Sequence, residues 1–186
     1  LCFASDASAA CTVEAIRVSH KPFDIRIHQS RPHPGQSISA ARILSLLTES
    51  EINISHQNCE RVQDAYSIRC SPQVHGPVID VLKESRRILE IEINSSTDNP
   101  LIFAEGDLEV ISGGNFHGQY IALCSDSVAI ACHELASISE RRINQILDPQ
   151  WGGHSPFLAV KEGLESGLMI IQYSSAAIIS ELHLMA

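Results

Sequence analysis

The chain has 186 residues, 44% of them hydrophobic and 19% charged, and its 13 Lys and Arg against 22 Asp and Glu give a formal net charge of −9. That length fits one globular domain, or a piece of a larger one, with enough apolar residues for a core. The acidic balance and the absence of a Lys/Arg stripe argue against nucleic-acid binding; a mean hydropathy of +0.04, with no run of about 18 consecutive apolar residues, argues against a membrane-spanning helix.

Residues 1–19, rich in Ala and other small side chains, predict a close-packed helix that Lys21-Pro22 ends. From Phe23 to Gly35, prolines interspersed with His, Arg and Asp break any period and predict an irregular segment. A second helix is expected over Ser37 to Leu47, with Ile38, Ala41, Leu44 and Leu47 along one side. Ser71-Pro72 reads as an N-cap followed by Pro at the first helical position. The helix it opens should run to about Ile91, with Val74, Val78, Val81, Leu82, Ile88 and Leu89 inward and Lys83, Glu84, Arg86 and Arg87 in water. Leu101-Ile102-Phe103 and Glu109-Val110-Ile111, separated by Gly106-Asp107, predict a short hairpin. The longest helix should begin just after Gly118 and persist to about Leu147, roughly 45 Å at 1.5 Å per residue. Glu140-Arg141-Arg142 reads as a polar turn near its end, Asp148-Pro149 as its stop and Trp151-Gly152-Gly153 as a loop. A last helix begins between Gly163 and Gly167 and passes through Ile170 to the end of the sequence. Leu1 is no initiator Met and the sequence stops at Leu184-Met185-Ala186 without a helix stop, so residues 1–186 are expected to be part of a longer chain.

Six cysteines at 2, 11, 59, 70, 124 and 132 form no CxxC pair and suggest free buried thiols in a reducing cytoplasm. Nine histidines include no HExxH and no pair three or four apart; the nearest approach to ligand spacing is His56-x-x-Cys59, and no metal is expected.

Chemistry-bearing groups gather in three segments. In Arg61 to Cys70, Gln63, Tyr66 and Arg69 recur every third residue, a spacing that lets an amide, a phenol and a guanidinium converge on one ligand. Arg69 lies just before a helix N-terminus, where a carboxylate gains free N–H groups and a bidentate partner. The plainer reading of this segment is an internal ion-pair cluster of Arg61, Asp64 and Arg69, with Tyr66 simply packed. In Ile111 to Gly118, Gly113-Gly114 can present Asn115, Phe116 and His117 from a rigid base; the plainer reading is a tight turn with Asn115 capping the next helix. Asn94 to Pro100 suits a loop ordered by its own side-chain hydrogen bonds. Met169 is either core or pocket lining.

Six collinear stretches carry a resemblance: Arg31 to Gln36, Arg61 to Gly76, Asn94 to Leu101, Ser112 to Gly118, Ser137 to Ile143 and Ser166 to Ile170. Together they resemble the aromatic amino acid ammonia-lyases, nearest to the histidine-specific branch. The resemblance implies a mostly α fold, a long-helix bundle of the ammonia-lyase and fumarase-like type with one short β-hairpin. It implies a cytoplasmic homotetramer whose active sites draw on more than one subunit. It also implies elimination of ammonia from L-histidine to give trans-urocanate, in histidine catabolism, with a methylidene-imidazolone made from an internal Ala-Ser-Gly. Matched residue by residue, Arg69 corresponds to the arginine that holds the substrate carboxylate, Tyr66 to a catalytic tyrosine beside the prosthetic group and Gln63 to a hydrogen-bonding glutamine. Phe116 corresponds to the phenylalanine packed on that group, with Asn115 and His117 as its neighbours, and Met169 to a pocket-lining position. No Ala-Ser-Gly occurs among these 186 residues, so the prosthetic group must form outside them and the piece alone is expected to be inactive. Glu165-Ser166-Gly167 and Ser180-Glu181-Leu182-His183 depart from the family's usual Asn-Ser-Gly and Ser-Glu-Asn-Lys. A phenylalanine or tyrosine ammonia-lyase, an aminomutase, or a catalytically dead helical scaffold are the alternatives.

Overall fold

The computed structural model describes residues 1–56 and 63–186. They form a mostly α structure with one two-stranded antiparallel hairpin, the class that the sequence predicts. The helices are α1 (Cys2–Ala15), α2 (Ile25–Gln29), α3 (Pro34–Leu46), α4 (Glu51–Ser55), α5 (Tyr66–Arg69), α6 (Ser71–Glu92), α7 (Gln119–Leu147), α8 (Pro149–Gly152) and α9 (Met169–Met185). The hairpin pairs β1 (Leu101–Phe103) with β2 (Glu109–Ile111), Leu101 opposite Ile111 and Phe103 opposite Glu109.

The helix α1 buries Ala9, Ala10, Val13 and the following Ile16 at helical spacing against Phe23, Ile43, Leu47, Ala65 and Ile68. It ends before Lys21-Pro22, because Arg17 turns into the left-handed region at φ 54° and its Nη2 donates to the Gly152 carbonyl at 3.2 Å. The segment expected to be irregular contains α2, capped by the Asp24 side chain on the Arg26 N–H. The short α4 likewise has no counterpart among the elements predicted above; the Ser50 side chain caps it on the Asn53 N–H.

The inward face of α3 differs from the expected one. Gln36, Ser39, Ala40 and Ile43 are buried, whereas Ile38 and Leu44 are exposed. Polar partners set this rotation. Gln36 Nε2 meets His28 Nδ1 at 3.1 Å and Ser39 Oγ donates to Asp6 Oδ1 at 2.5 Å. On α6, Leu89 is exposed rather than inward, while His75, Gly76, Val78 and Ser85 are buried; Lys83, Glu84, Arg86 and Arg87 lie in water as expected.

Where α3 crosses α6 the backbones nearly touch. A Cβ on Gly76 would stand 2.4 Å from the Gln36 nitrogen, and one on Gly35 would stand 2.1 Å from the Gly76 oxygen. Only glycines permit this crossing.

Helices α6 and α7 run antiparallel. Ser85 faces Cys124, Val78 packs with Ala131 and Leu135, and His75 meets Arg142. Glu140-Arg141-Arg142 is therefore no turn: it lies within α7, with Glu140 4% and Arg142 2% exposed. Trp151 and Gly152 belong to α8, capped by the Asp148 side chain, and Gly153 takes the left-handed conformation. One 18-residue stretch of α7 has mean hydropathy 1.4, enough by length and composition to cross a membrane. The expectation from unbroken apolar runs missed it because Ser125, Asp126, Ser127, His133 and Glu134 interrupt a stretch rich in Ala, Ile and Leu. This helix packs on α6 and α9, but Tyr120, Leu123 and Ile130 are exposed on it, as are Ile170, Ile171, Tyr173 and Ile178 on α9.

A buried polar chain ties four helices together. Asp6 of α1 and His75 of α6 are wholly buried, with His75 Nδ1 at 2.8 Å from Asp6 Oδ1. Arg142 Nη1 lies 3.2 Å from His75 Nε2. A guanidinium can only donate, so Nε2 accepts and the histidine proton sits on Nδ1, donated to Asp6. Arg142 Nη2 also donates to Ser139 Oγ at 3.0 Å. From α3, Ser39 bonds Asp6 and Arg42 Nη1 stands 3.6 Å from Asp6 Oδ2. Burial pulls the Arg142 pKa down to about 10, against the opposing pull of Asp6, so it stays charged at neutral pH. Burial also pushes His75 below the usual histidine range, as it does His28, whose Nε2 donates to the Pro22 carbonyl at 3.1 Å.

Two outcomes follow for the full-length protein. Gly76→Ala should cost about 1–3 kcal/mol through overpacking at the crossing, read as a lowered urea midpoint. Because His28 and His75 have lowered pKa values in the fold, the unfolded chain binds protons first; stability is full above pH ~6.5 and falls as pH drops below it. His28→Asn cannot take up that proton, so the decline in melting temperature from pH 6.5 to 5 should be shallower in the variant than in the parent.

Candidate functional site

The residues singled out in the sequence separate into two groups. Tyr66 opens the single turn α5 and Arg69 closes it, one residue before Cys70 leads into α6. Ser71 is the first residue of α6 rather than its cap; its hydroxyl donates back to the Ser67 carbonyl at 3.1 Å, which the end of α5 would otherwise leave without a partner. Ala65, Ser67 and Ile68 face inward, with Ile68 fully buried, while Tyr66 is 69% exposed. The Arg69 guanidinium carbon lies 5.6 Å from the Tyr66 ring centre, a cation–π stack.

The expected ion-pair cluster does not form between Asp64 and Arg69. Asp64 Oδ2 accepts from the Ser19 N–H at 3.0 Å, and Arg69 has no ion pair with any described residue; Arg61 lies outside the described residues. Among the described residues Arg69 Nε is buried without a partner, as is Gln73 Oε1 one turn later on α6. Gln63 is exposed beside α5. A guanidinium stacked on a phenol at the N-terminus of a 22-residue helix, with no anionic partner among the described residues, can take a carboxylate in two charge-assisted hydrogen bonds.

The second group sits at the far end of α6. Asn115 does not cap α7; its Nδ2 donates to the Ser96 carbonyl at 3.3 Å, and α7 starts at a Gly118 cap without side-chain help. Asn99 Oδ1 accepts from Ser112 Oγ at 3.1 Å and from the Gly113 N–H at 2.7 Å. The 94–100 loop thus has the ordering role expected of it, and it braces the glycine loop. Phe116 projects from that loop 62% exposed, and a Cβ at Gly113, Gly114 or Gly118 would meet nothing within 4 Å. Beside it, Arg87, Glu92, Thr97, Asn115, His117 and Tyr120 border a cavity of about 590 Å³.

The two groups cannot meet in one chain, because 22 helical residues hold them about 33 Å apart. Met169 falls with the first group. The His133 and His183 rings lie 5.2 Å apart, and the five residues from Gly152 to Phe157 reach at most about 18 Å. Since the Leu168 N–H bonds the Phe157 carbonyl, α9 starts beside the C-terminal half of α7 and runs antiparallel to it. Half-buried Met169 is therefore level with the end of α7 that carries α5. The described cysteines are free, yet only Cys124 is fully buried and Cys11 is exposed, which corrects the expectation of buried thiols; Cys59 lies outside the described residues. Sequence reasoning missed Asp6, His75 and Arg142, whose burial has no signature in an apolar pattern.

The family model for aromatic amino acid lyases matches residues 1–186. The histidine ammonia-lyase of Myxococcus xanthus is 51% identical over 177 residues, 95% of this chain and 35% of its own length. That of Sorangium cellulosum is 50% identical over 186 residues, 97% of this chain and 36% of its own. The crystal structure of histidine ammonia-lyase from Trypanosoma cruzi superposes with a TM-score of 0.87 at 42% identity, covering 98% of this chain and 33% of that one. The phenylalanine aminomutase of Pantoea agglomerans gives 0.87 at 35%, covering 98% and 39%. This chain thus spans about a third of the length of the relatives it matches. With the match running through every helix described above, the chain belongs to the aromatic amino acid lyase family.

Proposed function

We propose that this chain is the central helical part of a longer enzyme that eliminates ammonia from L-histidine to give trans-urocanate. The observation that carries the reading is Arg69: half-buried, stacked on Tyr66 and without an anionic partner among the described residues. Histidine ammonia-lyase relatives at about half identity over nearly the whole chain support the choice of substrate.

In this reading Arg69 anchors the substrate carboxylate, and Gln63 adds a hydrogen bond at the open edge of the same end. Tyr66 keeps its exposed hydroxyl on that side, where it holds or passes a proton while the C–N bond breaks, the β-proton leaves and the double bond forms. Met169 lines the pocket from α9. The residues present suit a methylidene-imidazolone from elsewhere in the protein: Phe116 offers a bare aromatic face on an open glycine loop, flanked by Asn115 and His117. When bound, that group supplies the electrophile that makes a poor nitrogen leaving group able to depart. The 33 Å between the two groups of residues fits a site completed across subunits, as in a homotetramer. The exposed apolar faces of α7 and α9 fit burial against other copies or the rest of the chain. Free cysteines fit a cytoplasmic enzyme.

The likeness to a phenylalanine aminomutase at the same TM-score favours one second reading, the same carboxylate anchor serving an aromatic substrate. Ammonia release by the full-length enzyme from histidine, phenylalanine and tyrosine in separate reactions decides between them; release from histidine alone is expected, and silence with all three would point to a rearranging enzyme or a dead scaffold. Arg69→Ala should lower kcat/KM roughly 10- to 100-fold, mainly through KM, as two charge-assisted hydrogen bonds are lost. Unchanged kinetics would remove Arg69 from the site.

A further inference from the structure

We propose that Gln145 of α7 is a positioning residue of the carboxylate site, acting through Ser67 on the turn that carries Tyr66 and Arg69; the inference rests on the function proposed above. The helix α5 is one turn of four residues, too short to hold its own direction. Its inward side chains, Ala65 at 1% and Ile68 at 0% exposure, fix how deeply it sits. Apolar packing is not directional, so they do not fix its rotation.

Rotation is set by a hydrogen bond. Ser67 Oγ donates to Gln145 Oε1, the one side-chain hydrogen bond from α5 to another helix among the described residues apart from the bond returned by Ser71. Gln145 itself stands on a fixed platform. Three residues earlier Arg142 is locked into the buried chain with His75 and Ser139, and just after it Ile146 packs on the core and Leu147 is 6% exposed. Arg69, by contrast, has no side-chain hydrogen bond to any described residue, and its Nε is buried without a partner among them. Its guanidinium goes where the α5 backbone and the Tyr66 ring take it. A shift of about 1 Å at such an anchor is enough to spoil binding geometry.

The test measures, in the full-length enzyme, how much better the unsaturated acid product inhibits than its primary amide, which lacks the carboxylate charge. Gln145→Leu should cut that preference about tenfold and raise KM more than it lowers kcat. Gln145→Glu keeps an acceptor oxygen for Ser67 and should restore both. Ser67→Ala should give the same loss, and the double variant Ser67→Ala with Gln145→Leu should lose no more than either single one. If Gln145→Leu does not fold, Ser67→Ala and Ser67→Thr carry the same comparison. A lowered melting temperature with the preference unchanged, or losses that add in the double variant, would overturn the inference. Arg69→Ala separates the two levels: if it leaves the preference intact, the proposed carboxylate site fails, whereas if it abolishes the preference and Gln145→Leu does not, only the role of Gln145 fails.

Discussion

The buried chain Asp6–His75–Arg142 is the constraint on which the other features hang. One carboxylate, wholly enclosed, receives the His75 Nδ1 proton and the Ser39 hydroxyl and faces the Arg42 cation. Those contacts tie α1, α3 and α6 at a single point, and Arg142 adds α7. A buried charge without partners is expensive, and removing one member leaves the others uncompensated. The arrangement therefore allows little sliding or turning of any of the four helices. His75 transmits the link only while neutral, since a proton on Nε2 would set two cationic donors against each other.

From that point the register of the bundle follows. The Gly35–Gly76 crossing brings α3 and α6 into backbone contact one residue away from His75. The Arg142 end of α7 sits over α5, and the Gly118 end sits over the last turns of α6. Positions that look unrelated in the sequence become neighbours by this pairing: Ser67 with Gln145, Ser85 with Cys124. The proposed anchor and the glycine loop then occupy opposite ends of one rigid two-helix rod. Neither depends on the other for its local geometry.

Much of this was legible in the residues. The long helix from just after Gly118 to Leu147, the hairpin at Leu101–Phe103 and Glu109–Ile111, and a helix opening at Ser71-Pro72 follow from periodicity, Gly and Pro, and turn chemistry, although Ser71 is the first residue of α6 and not its cap. The Arg69–Tyr66 stack and the exposed Phe116 fall in the segments that the sequence singles out, although at opposite ends of α6. Two of the failures share one cause. The apolar pattern turns Ile38, Ala41, Leu44 and Leu47 inward, whereas of these the structure buries Leu47 alone and buries Gln36 and Ser39 with it; the same pattern makes Glu140-Arg141-Arg142 a turn, whereas Glu140 and Arg142 lie inside. A hydrophobic pattern assigns polar residues to water, and here long-range partners reverse that assignment. His28 with Gln36, Ser39 with Asp6 and His75 with Arg142 are separated by 8, 33 and 67 positions, beyond what local reading connects. The short α2 and α4 escaped for a smaller reason, since one capping side chain each suffices to hold a single turn.

The antiparallel pairing of α6 with α7 also makes their lengths a matched pair of rulers. One residue inserted in α6 between His75 and Ser85 would advance everything beyond it by about 1.5 Å and swing it by about 100°. His75 would keep its place at one end while Ser85 lost Cys124 and the glycine loop turned away at the other. Tolerance to insertion and deletion should therefore be confined to the connections, such as the 104–108 turn of the hairpin, and substitutions should be the main route by which the interior of the two helices diverges.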